Sequence, residues 1–359
     1  MTRDEYRAQK AAKERMRRTE QKHKQAAKGS MDIPFLILTL LLTVVGLIML
    51  FSASFPRAYY DTGDGTFYFK RQALFAAVGL VTMFVVGKIN YQRWRGASRI
   101  LVGLALFLLI LVIIPHNPLA ITANRATRWL GIKGVFQFQP SEIAKLAVIV
   151  YFSDTISKKR EKMLTWRQGI LPYAALLGVI SVLMMLEPHL SGTVLILGIG
   201  AVLMFVGGTG LRWFVLAGLG GAAAIGAAVV VMPDLVPYAA DRLNSWLDPF
   251  ADPLGDGHQT IQSLYAIGSG GLMGSGIGNS RQKYLFLPEP QNDYVFSVVC
   301  EELGFMGALV VIVLFALLIW RGFTIVIKAR DRFGAMLVTG FIAQVGVQAI
   351  LNMAVVTNT

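Results

Sequence analysis

The sequence predicts an all-α polytopic membrane protein, a helix bundle with one long folded loop near its C-terminal end. Three observations carry this reading. The chain of 359 residues is 55% apolar and only 15% charged, with a mean hydropathy of +0.56, whereas a soluble domain carries charge on about a quarter of its residues. The apolar residues come in long blocks rather than at amphipathic spacing, and a block of about 20 residues is what crossing the hydrocarbon requires. The basic residues between the blocks are shared unequally between alternate connections.

Nine blocks have the length and composition of spans: 33–53, 72–88, 99–115, 138–155, 169–187, 190–207, 212–232, 294–320 and 333–356. The connections after the second, fourth, sixth and eighth hold Arg93, Arg95, Lys158, Lys159, Arg160, Lys162, Arg167, Arg212, Lys328, Arg330 and Arg332. Those after the first, third and fifth hold fewer: Arg57, Lys70, Arg71, Arg125, Arg128 and Lys133. The first thirty residues add ten Lys/Arg against four acids and contain no apolar stretch, so they read as a solvated tail and not as a cleavable signal. The excess of basic residues marks the cytoplasmic side, which places the N-terminus inside and the long 233–293 connection outside. The chain therefore divides into a basic tail (1–30), spans one to seven (31–232), an extracytoplasmic loop (233–293) and spans eight and nine (294–359). The net charge of +13 is spent on the tail and the inner connections. That pattern suits anionic membrane lipids and argues against nucleic acid.

Several motifs are weighed on their chemistry. A single cysteine, Cys300, excludes an internal disulfide framework and a multi-cysteine metal site; mid-block, it reads as a small apolar packer. None of the four histidines forms a metal-ligand pair. The glycine run at 268–280 lacks the Gly-Lys-Ser/Thr of a phosphate-binding loop, so its glycines serve tight turns and close backbone approach. Asp248, Asp252 and Asp256 lie four apart, the first two followed by proline, which suits turns and caps or weak cation binding. Glu142 and Lys145 lie three apart where span four opens. They either pair with each other or line a polar cavity. Glu187 and His189 sit on a short outer hairpin and read as ordinary polar residues.

The stretch "LPEPQNDYVFSVVCEELGFMG" (287–307) carries four acids into an apolar block. Asp293 falls at the membrane surface, where it also suits the positive end of a helix and could act as its cap. Glu289 lies about one turn earlier. Glu301 and Glu302 lie about 12–14 Å deeper at 1.5 Å per residue; they need partners there and read as structural. Asp293 is the carboxylate open to something outside the membrane.

Three separate stretches resemble the SEDS family of cell-wall polymerases (FtsW, RodA, SpoVE). They are "NRATRWLGIKGVFQFQPSEIAKL" (124–146), the loop and helix start at 242–307, and "LNMAVVTNT" at the end. "GNSRQK" and "SWLDPFADP" look more like the division and sporulation branch. His258 and Tyr294 stand where the family often has Tyr and Phe. The resemblance implies a ten-span bundle, with this sequence ending at Thr359 after the ninth. It further implies an enzyme of the bacterial cytoplasmic membrane, working at the septum, that polymerises lipid II on the outer face. Asp293 is then the essential acid of the Leu-Pro-Glu-x-x-x-Asp motif.

The expected chemistry is attack by a sugar hydroxyl on the anomeric carbon of MurNAc, with inversion and departure of undecaprenyl pyrophosphate. A poor nucleophile calls for a positioned base, here Asp293. The leaving group calls for positive charge, offered by Arg242, Arg281 and Lys283, or by a divalent cation, Mg²⁺ or Mn²⁺. Asn124 and Arg128 in the first stretch, and Gln259 and Glu289 in the second, complete the expected substrate-binding set. Glu142, Lys145, Glu301 and Glu302 are the expected structural or cavity residues. The transpeptidase combination of Ser-x-x-Lys with Lys-Thr-Gly is not present, since no Lys-Thr-Gly occurs, so the resemblance assigns crosslinking to a class B penicillin-binding protein, alongside divisome or sporulation septum proteins. A lipid II flippase and a non-catalytic scaffold are the alternatives.

Overall fold

The computed structural model describes residues 31–114, 117–123, 126–132, 136–231, 246–255 and 257–359. Each of the nine apolar blocks forms a helix: α1 (Ile33–Thr62), α2 (Phe67–Gly87), α3 (Arg93–Ile113), α4 (Pro140–Lys159), α5 (Leu171–Leu186), α6 (Leu190–Val206), α7 (Leu211–Val231), then, after a further helix α8 (His258–Gly270) in the long loop, α9 (Val295–Ile327) and α10 (Arg332–Thr357). Six helical segments among the described residues are long and apolar enough to cross a membrane: α1, α2, α3, Trp166–Leu186 (α5 with its preceding π-turn), α9 and α10. The protein is a multi-pass membrane protein.

The bundle is layered by polarity. α4 carries Lys145 and Asp154 as well as apolar residues, and both are buried along with most of the helix. A helix with buried charges belongs where protein, not lipid, surrounds it. α2, all apolar along its middle, has no buried residue and forms an edge. One core joins α3, α4, α5, α6 and the start of α10 around Phe152, Tyr173, Ile199 and Phe333. A second core joins α1, the end of the long loop, the start of α9 and the end of α10 around Met49, Leu287, Phe296 and Val356. α10 packs into both.

Two features depart from the expected architecture. The protein is not purely helical, because the α3–α4 connection folds into a small antiparallel sheet, β1 (Ala120–Ala123), β2 (Ala126–Ile132) and β3 (Phe136–Phe138), in that spatial order. β-Branched and aromatic residues in "ITA", "ATRWLGI" and "FQF" favour strands, and the apolar flanks on either side mask that signal in a hydropathy reading.

The second departure is in the long loop, which does not only lie across the end of the bundle. After α8 the chain turns and runs against the first third of α9. Phe305 N donates to Gly271 O (2.9 Å) and Met306 N to Leu272 O (3.2 Å), while Ser275 N and Gly276 N donate to the carbonyls of Glu301 (3.0 Å) and Glu302 (2.9 Å). These partners lie roughly 9–17 Å along α9 from its start at 1.5 Å per residue. α9 breaks there, at Gly304, with φ 67° and ψ −168°. A Cβ on Gly304 would stand 2.3 Å from Gly274 N, and one on Gly274 would stand 2.2 Å from Glu302 O. Only glycine lets the two backbones meet and satisfy the groups that the break frees.

Candidate active site at the loop–α9 junction

Segment 280–294 leads into α9. The acids of this segment and of the first turns of α9 divide into one that is free, Asp293, and three that are committed, Glu289, Glu301 and Glu302. Asp293 is exposed, and its carboxylate makes no hydrogen bond or ion pair among the described residues. It does not cap α9: the helix starts after Tyr294, and no side chain caps it. Its main chain is held instead, because Asn352 Nδ2 on α10 donates to Asp293 O at 3.1 Å.

Glu289 adopts a positive φ of 48° and accepts from Gln291 Nε2 (2.9 Å) and Asn292 Nδ2 (3.0 Å). Gln259 on α8 donates from Nε2 to Pro288 O at 3.1 Å, so it holds the loop backbone. Arg57 on α1 and Tyr68 on α2 lie within electrostatic reach of Glu289, and Arg57 pairs with Asp61 at 2.9 Å.

Glu301 and Glu302 are buried, at 2% and 0% exposure. Glu301 accepts from Ser280 Oγ (2.5 Å), Arg281 N (2.7 Å) and Gln282 N (3.4 Å). Glu302 accepts from Lys283 Nζ (2.7 Å) and from Ser52 Oγ (2.7 Å) of α1. Lys283, also buried, donates to Ser52 Oγ at 3.0 Å as well. Its ammonium is therefore held by Glu302 and Ser52 inside the bundle, away from the place among the substrate cations that the sequence suggests. Arg281 has an exposed side chain. Arg242 and Asn124 lie outside the described residues.

A second polar cluster gathers where β2 meets the α5–α6 hairpin. Arg128 Nε donates to Glu187 O at 3.3 Å and its NH2 group to Pro188 O. Gln139 Nε2 stands 3.3 Å from a ring nitrogen of His189. Lys145 Nζ pairs with Glu142 Oε1 at 2.6 Å; the lysine is buried and the glutamate exposed. Glu187 is 2% exposed, and neither carboxyl oxygen has a hydrogen-bond partner. Burial pushes it up to about 8, against a weaker opposing pull from Arg128. Burial, followed by the positive charges of Arg128 and Lys145, pushes His189 down to about 4.

The aspartates of the long loop are used locally. Asp248 accepts from Phe250 N (3.1 Å) and caps the turn Pro249–Ala251, and Asp252 accepts from Gly255 N (3.0 Å); Asp256 lies outside the described residues. Among the described residues no group of three or more His, Cys, Asp and Glu side chains is arranged to hold a metal ion. The residues that the sequence reading missed are Ser52, Arg57 and Asn352. Each is a polar residue inside or at the end of an apolar block, and that interruption is the signal they carry.

Long apolar helices, with a loop packed along α9 and a free carboxylate at the junction, define a polytopic membrane protein with a candidate site where loop and helix meet. The family model described as cell cycle protein FTSW_RODA_SPOVE matches residues 33–359, and the chain belongs to this family. It is 40% identical to stage V sporulation protein E of Bacillus subtilis (strain 168), over 92% of this chain and 88% of that protein. It is 38% identical to a probable peptidoglycan glycosyltransferase FtsW of Geobacter sulfurreducens (strain DL-1 / KN400), over 91% and 86%. Among solved structures, a chain of a peptidoglycan synthase complex described as coordinating polymerization and crosslinking superposes with a TM-score of 0.72 at 28% identity, covering 91% of this chain and 88% of that one. The rod shape determining protein RodA of Thermus thermophilus shares the fold, with a TM-score of 0.64 at 24% identity over 91% and 85%.

Proposed function

We propose that this protein is a peptidoglycan glycosyltransferase that polymerises lipid II on the outer face of the bacterial cytoplasmic membrane, with Asp293 as general base. The names of its FtsW relatives support the activity. The observation that carries the site is the contrast within one segment: Glu289, Glu301 and Glu302 are each held by hydrogen bonds, and Asp293 is exposed with its carboxylate free.

In the reaction the 4-hydroxyl oxygen of one GlcNAc bonds to C1 of MurNAc on the growing chain. The bond from C1 to the pyrophosphate oxygen breaks with inversion, and the hydroxyl proton passes to Asp293. The pyrophosphate is already a good leaving group and needs only nearby positive charge. Arg281, exposed on the loop, is the cation this geometry offers, and Arg242 is kept as a second; Arg57, near Glu289, is paired with Asp61. Arg128 carries charge at the second cluster, although its guanidinium also holds the hairpin carbonyls of Glu187 and Pro188. A divalent cation would supply further neutralisation of the pyrophosphate. The basic tail and inner connections support a cytoplasmic N-terminus, and the isoprenoid tails stay in lipid between the helices.

The likeness to a chain of a complex that joins polymerization and crosslinking supports a class B penicillin-binding protein as partner. The likeness to a sporulation protein and to FtsW proteins supports work at a septum. The test is polymerisation of labelled lipid II by the purified protein with its transpeptidase, wild type against Asp293→Asn. A base contributes roughly 10²–10⁴ in rate, so the variant should fold normally and lose at least about 100-fold. Equal chain synthesis by both would remove Asp293 from the chemistry.

A further inference from the structure

We propose that Lys283 and Glu302, with Ser52, act as a positioning clamp that sets where the Asp293 carboxylate stands. This rests on the reading of Asp293 as the base. The ion pair joins residues 19 apart in sequence and so closes segment 283–302 into a ring. Asp293 lies at the middle of that ring, ten residues from Lys283 and nine from Glu302.

The neighbouring glutamate repeats the closure. Glu301 holds Ser280 and the main-chain amides of Arg281 and Gln282, so two adjacent acids grip four consecutive residues, 280–283. Just beyond them α9 is broken at Gly304. The helical stretch that follows Asp293 is therefore not oriented by an unbroken helix; the grip of the loop orients it. Ser52 supplies a third fixed point from α1, accepting from Lys283 at 3.0 Å and donating to Glu302 at 2.7 Å.

Stability alone does not call for charge here, because a buried ion pair is often replaceable by apolar residues without loss. What ions and a hydroxyl provide is direction and register. The ring also needs to be held. Leu285 and Glu289, both inside it, take positive φ values of 68° and 48°, and non-glycine residues stay in such conformations only when their surroundings over-determine them. Closing the ring further removes much of the loop's freedom.

The test uses the full chain with its transpeptidase, reading the thermal midpoint in detergent together with kcat and KM for lipid II. Lys283→Met and Glu302→Gln, each leaving one buried group unmatched, should lower both midpoint and kcat. The double variant should regain the midpoint yet keep kcat roughly 10- to 100-fold down, the scale of a reacting group displaced by about an ångström, with KM within about twofold. Recovery of kcat together with the midpoint would reduce the pair to a fold-stabilising contact and overturn the proposal. A kcat near wild type with KM raised at least tenfold would make Lys283 a substrate contact and also overturn it.

If the double variant does not fold, Ser52→Ala decides, since it keeps the ion pair. It should lower kcat several-fold with a fall in midpoint smaller than that of Lys283→Met or Glu302→Gln, and an unchanged kcat overturns the clamp. Asp293→Asn, run in parallel, reports on the base alone: chain synthesis by that variant defeats the function reading whatever the clamp variants do.

Discussion

Glu302 and Glu187 are almost equally buried, at 0% and 2% exposure, and their surroundings could hardly differ more. Glu302 faces an ammonium and a hydroxyl, both within hydrogen-bond distance. Glu187 has an arginine nearby, but that guanidinium spends its hydrogen bonds on the carbonyls of Glu187 and Pro188, leaving both carboxyl oxygens without a partner. Burial by itself therefore says little about a carboxylate. Its partners decide whether it is a charged anchor or a group driven to hold its proton. The clamp region turns its acids into geometry, and the hairpin region leaves one exposed to pH.

The contrast can be broken most directly at Glu302. Glu302→Ala strands Lys283 in the interior, and removing one partner of a buried pair costs about 3–5 kcal/mol. Unfolding in detergent should show a loss of that order, and a loss under about 1 kcal/mol would erase the difference between the regions.

Glu187 sharpens the comparison through pH. Its folded value of about 8 lies above the ordinary 4.5, so the stability it contributes is full below pH 4.5 and is lost as pH rises to about 8. Glu187→Gln removes that loss. It should match wild type near pH 4.5 and exceed it by roughly 1–3 kcal/mol at pH 8, a difference that melting curves across this range would resolve. A flat difference would mean that the carboxyl has a partner after all.

His189 gives the smaller, mirror-image effect. Its folded value of about 4 lies below 6.5, so its contribution is present above pH 6.5 and lost as pH falls through 4. His189→Asn should be neutral at pH 7 and more stable than wild type by roughly 1–2 kcal/mol at pH 5. Stability that did not change with pH in this range would contradict the assignment.

Much of the fold was legible because hydropathy is a one-dimensional signal. The apolar blocks became helices where length and composition placed them, though α1 runs on to Thr62, beyond the block ending near 53. The sheet was not legible, because its short strands take their pairing from residues across turns, such as Leu130 with Phe138. Within the site, the segment containing Asp293, Glu301 and Glu302 stood out as acids entering an apolar run. The fate of Lys283 did not, because its partners come from Glu302 and from Ser52, the latter 231 positions away. A cation in a loop reads as available until tertiary structure supplies the anion that takes it.

The sequence by itself determined that the chain builds membrane-length helices and that Asp293 stands at the end of an apolar run with two acids deeper within it. Both follow from the cost of placing polar groups in hydrocarbon, which acts residue by residue along the chain. Only the tertiary structure decided which acids are satisfied and which is free, where α9 breaks, and that the loop returns along it. Those outcomes depend on hydrogen bonds between backbones and side chains far apart in sequence, which no local pattern encodes.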